Sequence, residues 1–255
     1  MKKSLLVLAV FAWAVLPASA AVIFQESFPY ADGSLITVSS GTWATSSGTV
    51  GQMDVASGKV NLTSTESEDT NRDFTATGSG TLFFGLTTVF SALPTATGSY
   101  FAHFWDKETG ANTDFFGRLT VRQTPSTSQL LFGIANDTGN TAVYSATEFA
   151  LGSTIRIVVG FDFSTMTSTL WINPVDVSSP SVVDPVVAVF TGAATTLGGL
   201  SLRQATGIGT FTVDDLVVGT TFGDVVAIPE PSTSALLSGA AGMILSTLRR
   251  RRTVA

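Results

Sequence analysis

Strict alternation of apolar and polar residues constrains the fold more than any other feature of this sequence. Between Ile155 and Phe163 every odd position is a large apolar residue, whereas Arg156 and Asp162 have the opposite parity. The segment 115–122 alternates in the same way, with Leu119 on its apolar side. Because successive side chains of a strand point to opposite faces, this pattern predicts an antiparallel sheet that is buried on one side.

Short runs rich in β-branched and aromatic residues recur along the chain, and Gly, Asn, Asp and Ser separate them. Asn136–Asn140 has the composition of a hairpin turn, because Asn, Asp and Gly tolerate positive φ. No helical periodicity stands out between the two ends, so the pattern predicts an all-β sandwich or jelly roll. The predicted strands are Val22–Phe28, Lys59–Thr63, Thr81–Phe90, Tyr100–Trp105, Phe115–Arg122, Gln129–Ile134, Thr141–Tyr144, Ile155–Phe163, Ser168–Ile172, Leu200–Arg203 and Phe211–Val218.

The composition is typical of an exported β-rich protein. Only 13% of the 255 residues are charged, and Ser, Thr and Gly are abundant. The chain has no cysteine, which excludes disulfides, thiolate nucleophiles and Cys-ligated zinc.

The N-terminus has the organisation of a secretory signal peptide. Lys2 and Lys3 precede an apolar run over residues 4–16, and Ala18 and Ala20 form the small-x-small pattern that signal peptidase accepts. We predict cleavage at or beside Ala20, against the alternative of a structural first helix.

The C-terminus combines a rigid tripeptide, an apolar run and a basic block. Pro229, Glu230 and Pro231 form an extended unit, since proline restricts its own φ and the residue before it. Residues 232–248 are apolar and span roughly 25 Å as a helix, at the short limit for crossing a bilayer. The basic block that follows consists of Arg249, Arg250, Arg251 and Arg252, and it predicts a cytoplasmic end.

This order of Pro-Glu-Pro, apolar helix and arginine cluster resembles the PEP-CTERM sorting signal of exported proteins in Gram-negative bacteria. The resemblance implies an intermediate anchored in the inner membrane, which an exosortase recognises at Pro229–Pro231 and processes. The alternative is an amphipathic or disordered C-terminus that happens to end in arginines. The predicted segments are a signal peptide at 1–20, a sandwich at 21–219, a linker at 220–228 and a sorting signal at 229–252.

Without the two targeting segments, residues 21–228 contain seven basic and eighteen acidic residues, a formal net charge of −11. Nucleic acids and anionic membrane surfaces require a positive footprint, so this balance disfavours both as partners. Neutral glycans, cations and other proteins remain.

Three stretches of the presumptive sandwich resemble the concanavalin A-like and laminin-G-like jelly rolls. They are Glu26–Leu35 near the start, Tyr100–Trp105 with Phe115–Leu119 in the middle, and Phe211–Gly219 at the end. The resemblance implies two curved sheets of six or seven strands with adjacent termini.

Catalytic patterns are absent from the sequence. The Glu-x-Asp-x-x-Glu string of the jelly-roll glucanases does not occur, and no Gly-x-Ser-x-Gly elbow accompanies His103, the one histidine. The acidic cluster Glu66, Glu68 and Asp69 lies in a Ser/Thr-rich stretch, which predicts a solvated loop. We predict a structural role for His103 and no enzymatic activity.

Calcium is the ion that the acidic residues favour, because it takes carboxylate and carbonyl ligands from turns. The candidates are Asp214 and Asp215, Asp106 with Glu108, and Asn136 with Asp137. Asp214 and Asp215 alternate faces in a regular strand, so both cannot point inward. The alternative is plain solvated turn acids, and apart from a structural calcium we predict no cofactor.

Glycan binding requires exposed aromatic faces together with polar groups that orient the sugar hydroxyls. Trp105 and Trp171 are candidate stacking residues, and Trp171 shares its face with threonines; a core position is the competing interpretation for each. Arg118 and Arg122 share one polar face and are candidate orienting groups.

These observations predict a non-enzymatic protein of the envelope surface or extracellular matrix, with exopolysaccharide as a ligand. A divergent glycan-active enzyme and a purely structural coat protein remain as alternatives.

Overall fold

The computed structural model describes residues 21–106, 114–124, 128–136, 139, 141–190 and 196–226. In these ranges the chain forms sixteen strands and two short helices. The strands are β1 (Val22–Glu26), β2 (Gly33–Ser34), β3 (Ala44–Ser47), β4 (Asp54–Ala56), β5 (Lys59–Thr63), β6 (Asp69–Thr77), β7 (Thr81–Ala92), β8 (Ser99–Trp105), β9 (Phe115–Gln123), β10 (Leu130–Ala135), β11 (Val143–Tyr144), β12 (Thr154–Asp162), β13 (Thr167–Ile172), β14 (Ser181–Asp184), β15 (Leu197–Arg203) and β16 (Thr210–Gly219). The helices are α1 (Leu35–Val38) and α2 (Phe222–Val226).

The strands form two antiparallel sheets. The nine-stranded sheet has the order β14-β13-β12-β7-β16-β5-β4-β2, and β1 pairs with β16 beside this path. The seven-stranded sheet has the order β11-β10-β9-β8-β15-β6-β3. The predicted all-β antiparallel sandwich is confirmed.

The first and last strands of the sandwich are hydrogen-bonded to each other, as the resemblance implied. Val22 of β1 lies opposite Gly219 of β16, and Glu26 lies opposite Leu216. The chain therefore enters and leaves the sandwich at one place. The nine-stranded sheet exceeds the six or seven strands that the resemblance implied. The additional strands include β2 and β4, which are too short to show an alternating pattern.

The core lies between the two sheets, on the faces that alternation predicted. The odd residues of β12 from Ile155 to Phe161 belong to this core, as do Leu119 and Val121 of β9. At its centre, Phe90 stacks on Phe211 with ring centroids 4.2 Å apart. Burial of these faces is the main source of stability, at roughly 25 cal/mol for each Å² of apolar surface removed from water.

A second, smaller apolar cluster covers part of the outer face of the nine-stranded sheet. The helix α2 lies in the predicted linker 220–228 and contributes Phe222 and Val225, which pack with Trp171 of β13. Arg156 of β12 holds the end of α2, because its guanidinium donates to the Val225 carbonyl at 2.5 Å and to the Asp215 carbonyl at 2.7 Å. Burial lowers the pKa of Arg156 to about 10, although the charge of Asp215 opposes this.

The prediction of a solvated loop at residues 66–69 is wrong for Glu68 and Asp69. Glu68 is fully buried, and its carboxylate accepts hydrogen bonds from the Thr45 hydroxyl at 2.5 Å and the Met53 amide at 2.6 Å. Asp69 begins β6. A carboxylate can be buried when donors compensate the lost hydration, and here those donors come from residues distant in sequence.

A buried ion pair connects the two sheets near the first strand. The Glu26 carboxylate of β1 accepts from Arg72 Nη1 of β6 at 2.5 Å and from Trp43 Nε1 at 3.2 Å. It also accepts from the Tyr30 hydroxyl at 2.8 Å and the Phe28 amide at 3.0 Å. Four donors therefore surround one carboxylate that is 3% exposed.

The predicted signal peptide, with Ala18 and Ala20, and the predicted sorting signal from Pro229 to Arg252 lie outside the described residues. Within the described ranges, no helix has the length and apolar character required to cross a membrane.

Candidate functional site

The outer face of the seven-stranded sheet carries a row of aromatic and arginine side chains, which we name the outer strip. These residues come from four strands of this sheet, and those on β9, β8 and β15 lie among core residues of their own strands. Most of them are half-buried, so one side of the ring or guanidinium remains accessible. The outer strip consists of Tyr144 (β11), Phe115, Arg118 and Arg122 (β9), Tyr100 and Trp105 (β8), and Arg203 (β15).

Trp105 lies across the neighbouring strand because that strand has a glycine at the point of crossing. Trp105 is paired in register with Gly199 of β15, and a Cβ at position 199 would overlap its indole ring. Any other residue at 199 would push the indole off the sheet. The glycine therefore sets a flat aromatic surface at this end of the outer strip.

Tyr100 occupies the middle of the outer strip, between two arginines. The guanidinium carbon of Arg203 is 4.3 Å from the centroid of the Tyr100 ring, and that of Arg118 is 5.2 Å away. Such cation–π contacts fix the orientation of both partners. Arg203 is also held by Asp69, whose Oδ2 lies 3.6 Å from Nε, and the Asp69 carboxylate accepts from the Ser47 hydroxyl at 2.8 Å.

A cavity of about 100 Å³ opens beside Trp105. Its wall combines two aromatic rings with short polar side chains, the arrangement that stacks on a sugar ring and hydrogen-bonds its hydroxyls. The Ser201 hydroxyl donates to Oδ1 of Asn71 within it. The lining residues are Ser46, Ser47, Asp69, Asn71, His103, Trp105, Phe115 and Ser201.

Two ionisable groups of this cavity have shifted pKa values. Burial raises the pKa of Asp69, against the opposing effects of the Ser47 hydrogen bond and the Arg203 charge. Burial, together with the charges of Arg118 and Arg203, lowers the pKa of His103 to about 3, although the hydrogen bond to the Phe104 carbonyl opposes this. His103 is consequently neutral at pH 7, with its Nδ1 3.0 Å from the Phe104 carbonyl, which can only accept.

A larger groove, of about 470 Å³, lies at the other edge of the sandwich between β14 and residues 145–149. Its lining includes Phe149, Leu170 and Val175 and contains no charged side chain. The half-buried aromatic rings lie instead on the outer strip, and the cavity at its Trp105 end contains Asp69 and His103 with shifted pKa values, so we regard the strip with this cavity as the candidate site.

The structure brings three of the four predicted ligand residues together. Trp105, Arg118 and Arg122 all belong to the outer strip, whereas Trp171 lies on the opposite sheet under α2, 7% exposed. The face of Trp171 was predicted to differ from that of Leu170, and it does. No sequence pattern indicates that α2 covers it. Tyr100, Tyr144 and Asp69 were missed as site residues, since a lone tyrosine or aspartate carries no distinguishing pattern.

The predicted calcium ligands within the described ranges lie in separate parts of the sandwich, whereas Glu108 and Asp137 lie outside those ranges. Asp214 lies on the nine-stranded sheet, where its carboxylate is 3.6 Å from Lys59 Nζ, and Asp215 follows it in a bulge with φ of 48°. Asp106 is buried next to β8 of the other sheet. Asn136 bonds inside the sandwich, donating to the Met166 and Val186 carbonyls. Within the part of the chain that the structure describes, no three acidic or histidine residues form a group that could hold a metal.

Comparisons with known proteins bear on the fold alone. No protein-family model matches the chain, and no curated protein matches it. The globular domain of T. cruzi calreticulin superimposes with a TM-score of 0.51 at 13% identity, covering 90% of this chain and 100% of that domain. The CBM2 module of the evolved Dit of Lactobacillus casei BL23 phage J-1 superimposes with a TM-score of 0.50 at 10% identity, covering 78% and 95%.

These likenesses and the two antiparallel sheets define the class of the protein. It is an all-β antiparallel sandwich of two sheets, and its fold is similar to that of these two domains. The outer strip occupies the exposed face of the seven-stranded sheet of this sandwich.

Proposed function

We propose that the sandwich is a non-enzymatic glycan-binding module and that the outer strip is its binding surface. The observation that carries the proposal is the alternation of accessible aromatic faces with fixed polar groups along one sheet face. Aromatic faces stack on the apolar side of a sugar ring, and flanking hydrogen-bonding groups select its hydroxyls. The solved structures that are similar in fold are compatible with this function but do not establish it.

The first test is retention of the full chain on a panel of insoluble and bacterial exopolysaccharides, compared with the Trp105→Ala variant. Loss of a stacked indole should lower affinity about tenfold, which corresponds to about 1.4 kcal/mol. Trp171→Phe is the matched control, because it alters an indole on the opposite sheet. Equal retention of wild type and Trp105→Ala, with both folded, would contradict a role for the outer strip.

The same experiment separates the alternatives. A divergent glycan-active enzyme is favoured by one observation, the position of the Asp69 carboxyl in the cavity beside Trp105, where burial raises its pKa. Release of sugar products from the polysaccharide, abolished by Asp69→Asn, would support that reading. Absence of retention on every glycan would leave a purely structural coat protein.

Repeating the measurement with calcium and with a chelator tests a structural calcium ion at Asp214, Asp215 or Asp106.

The proposed route to the cell surface rests on the two ends of the sequence. Signal peptidase removes residues 1–20, the C-terminal helix holds an intermediate in the inner membrane, and an exosortase recognises Pro229, Glu230 and Pro231. The processed domain then reaches the envelope surface or extracellular matrix.

Replacing Pro229 and Pro231 by alanine in the native host tests this route. We expect accumulation of the larger membrane-bound form, because the rigid extended recognition unit is lost. Pro185→Ala is the control, and immunoblots of membrane and culture fractions give the measurement. Unchanged release of the doubly substituted protein would argue against exosortase processing.

A further inference from the structure

Arg122 lies against an aromatic ring and has no acidic partner among the described residues. Its guanidinium carbon lies 4.1 Å from the centroid of the Tyr144 ring, and its Nε has no hydrogen-bond partner among the described residues. The guanidinium forms no ion pair with any described acid, whereas Lys59, Arg72 and Arg203 each contact a carboxylate. Arg122 is therefore a half-buried positive charge for which the described chain supplies no anion.

The Tyr144 ring is held in place by the strand beneath it. Tyr144 is paired in register with Gly133 of β10, and Gly133 is paired with Thr120 of β9. A Cβ at Gly133 would lie 2.8 Å from a carbon of the Tyr144 ring and 2.8 Å from the Thr120 hydroxyl, so the ring lies directly against the backbone. This ring in turn orients the guanidinium of Arg122 before any ligand binds.

A guanidinium that lies over a ring keeps its N–H groups in its own plane. The Nε of Arg122 is buried, so the two Nη groups are the donors that would meet a ligand. That planar fork matches the two oxygens of a carboxylate and binds them with two parallel hydrogen bonds. A hydroxyl of a neutral sugar uses only one of these donors. The geometry around Arg122 is therefore better suited to a carboxylate than to a neutral hydroxyl.

The distribution of charge supports the same conclusion. Three of the six basic residues in the described ranges, Arg118, Arg122 and Arg203, belong to the outer strip, although residues 21–228 carry a formal net charge of −11. Because Asp69 pairs with Arg203, Arg122 rather than Arg203 is the positive charge that an anionic ligand would meet on this face.

We propose that the outer strip binds a carboxylate-bearing polysaccharide, with Arg122 as the bidentate donor to the carboxylate and Tyr144 as its orienting platform. This inference rests on the proposed glycan-binding function and adds the class of sugar, a uronic acid polymer. It goes beyond the expectation from net charge, which left neutral glycans, cations and other proteins as partners, because the field at one face differs from that of the whole domain.

The test is affinity electrophoresis of the full chain in gels that contain polygalacturonate, neutral dextran or dextran sulfate. We expect retardation of the wild type by polygalacturonate and little by dextran. Arg122→Gln should raise the apparent Kd for polygalacturonate about tenfold, the effect of losing one charge-assisted hydrogen-bonding pair. Lys59→Gln on the nine-stranded sheet removes the same charge and should leave the Kd unchanged.

Arg122→Lys keeps the charge but lacks the planar fork, so its Kd should lie between those of wild type and Arg122→Gln. It also serves as the test if Arg122→Gln does not fold, which thermal melting decides. Thermal melting therefore distinguishes a variant that does not fold from a folded variant that has lost the binding site.

Three outcomes overturn the inference. If dextran and polygalacturonate retard the protein equally and Arg122→Gln has no effect, the glycan-binding function stands but the ligand needs no carboxylate. If dextran sulfate retards the protein as much as polygalacturonate does and Arg122→Gln has no effect, the retardation comes from charge attraction alone and not from recognition of a carboxylate. Absence of retardation in all three gels would contradict both the inference and the proposed function.

Discussion

Glu26→Ala is expected to lower the free energy of unfolding by about 3–5 kcal/mol, the usual cost of removing one partner of a buried ion pair. The Glu26 carboxylate accepts from Arg72, Trp43 Nε1, the Tyr30 hydroxyl and the Phe28 amide. Alanine leaves the Arg72 charge without its counter-ion at the junction of the two sheets. Urea unfolding of wild type and variant measures the difference.

Two controls show whether the loss comes from the uncompensated charge. Asp32→Ala removes an exposed acid that accepts one hydrogen bond, from the Ser57 amide, and should cost no more than about 1 kcal/mol. Glu26→Leu combined with Arg72→Met replaces both charges by apolar groups and should recover much of the stability lost by Glu26→Ala. A cost below about 1 kcal/mol for Glu26→Ala would refute the inter-sheet role of this pair.

The stability of the sandwich is expected to fall between pH 6.5 and about 3 because of His103. In the unfolded chain this histidine binds a proton near pH 6.5, whereas burial, with the charges of Arg118 and Arg203, lowers its folded pKa to about 3. The unfolded state therefore binds more protons across this window. The contribution of neutral, buried His103 to the free energy of unfolding is fully present above pH 6.5. Below pH 6.5 this contribution declines by up to about 1.4 kcal/mol for each pH unit.

The His103→Gln variant isolates this effect, because the sequence contains no second histidine. Carboxyl groups titrate in both proteins and cancel in the difference between them. We expect the unfolding free energy of wild type to fall more steeply than that of His103→Gln between pH 6.5 and 5. Parallel curves over that interval would mean that His103 is protonated or exposed in the folded protein.

The faces of the strands could be predicted from the sequence, because alternation is a local property. The apolar positions of 155–163 and the opposition of Leu119 to Arg118 both hold in the structure. The short strands β2, β3, β4 and β14 were not predicted, since two to four residues are too few for a period of two to be detected. The nine-residue strand β6 was also missed, because its residues are mostly polar and show no apolar alternation. They depend on neighbouring strands for their hydrogen bonds.

Burial of polar groups was the main failure of prediction. Glu68 was placed in a solvated loop, yet it is buried because Thr45 and Met53 supply donors from more than ten residues away. Trp171 was correctly separated from the face of Leu170, yet it is covered by α2, whose position depends on Arg156. Sequence patterns report which face a residue occupies, and they do not report what lies over that face.

The sequence by itself therefore determined the all-β class, the inward and outward faces of the longer strands, and the prediction that the chain is exported and sorted. Only the tertiary structure placed Tyr144 over Gly133 beside Arg122, and Trp105 over Gly199. The physical reason is register. Which residues meet across a sheet depends on the alignment of strands that are distant in the chain, and long-range hydrogen bonding and core packing set that alignment together.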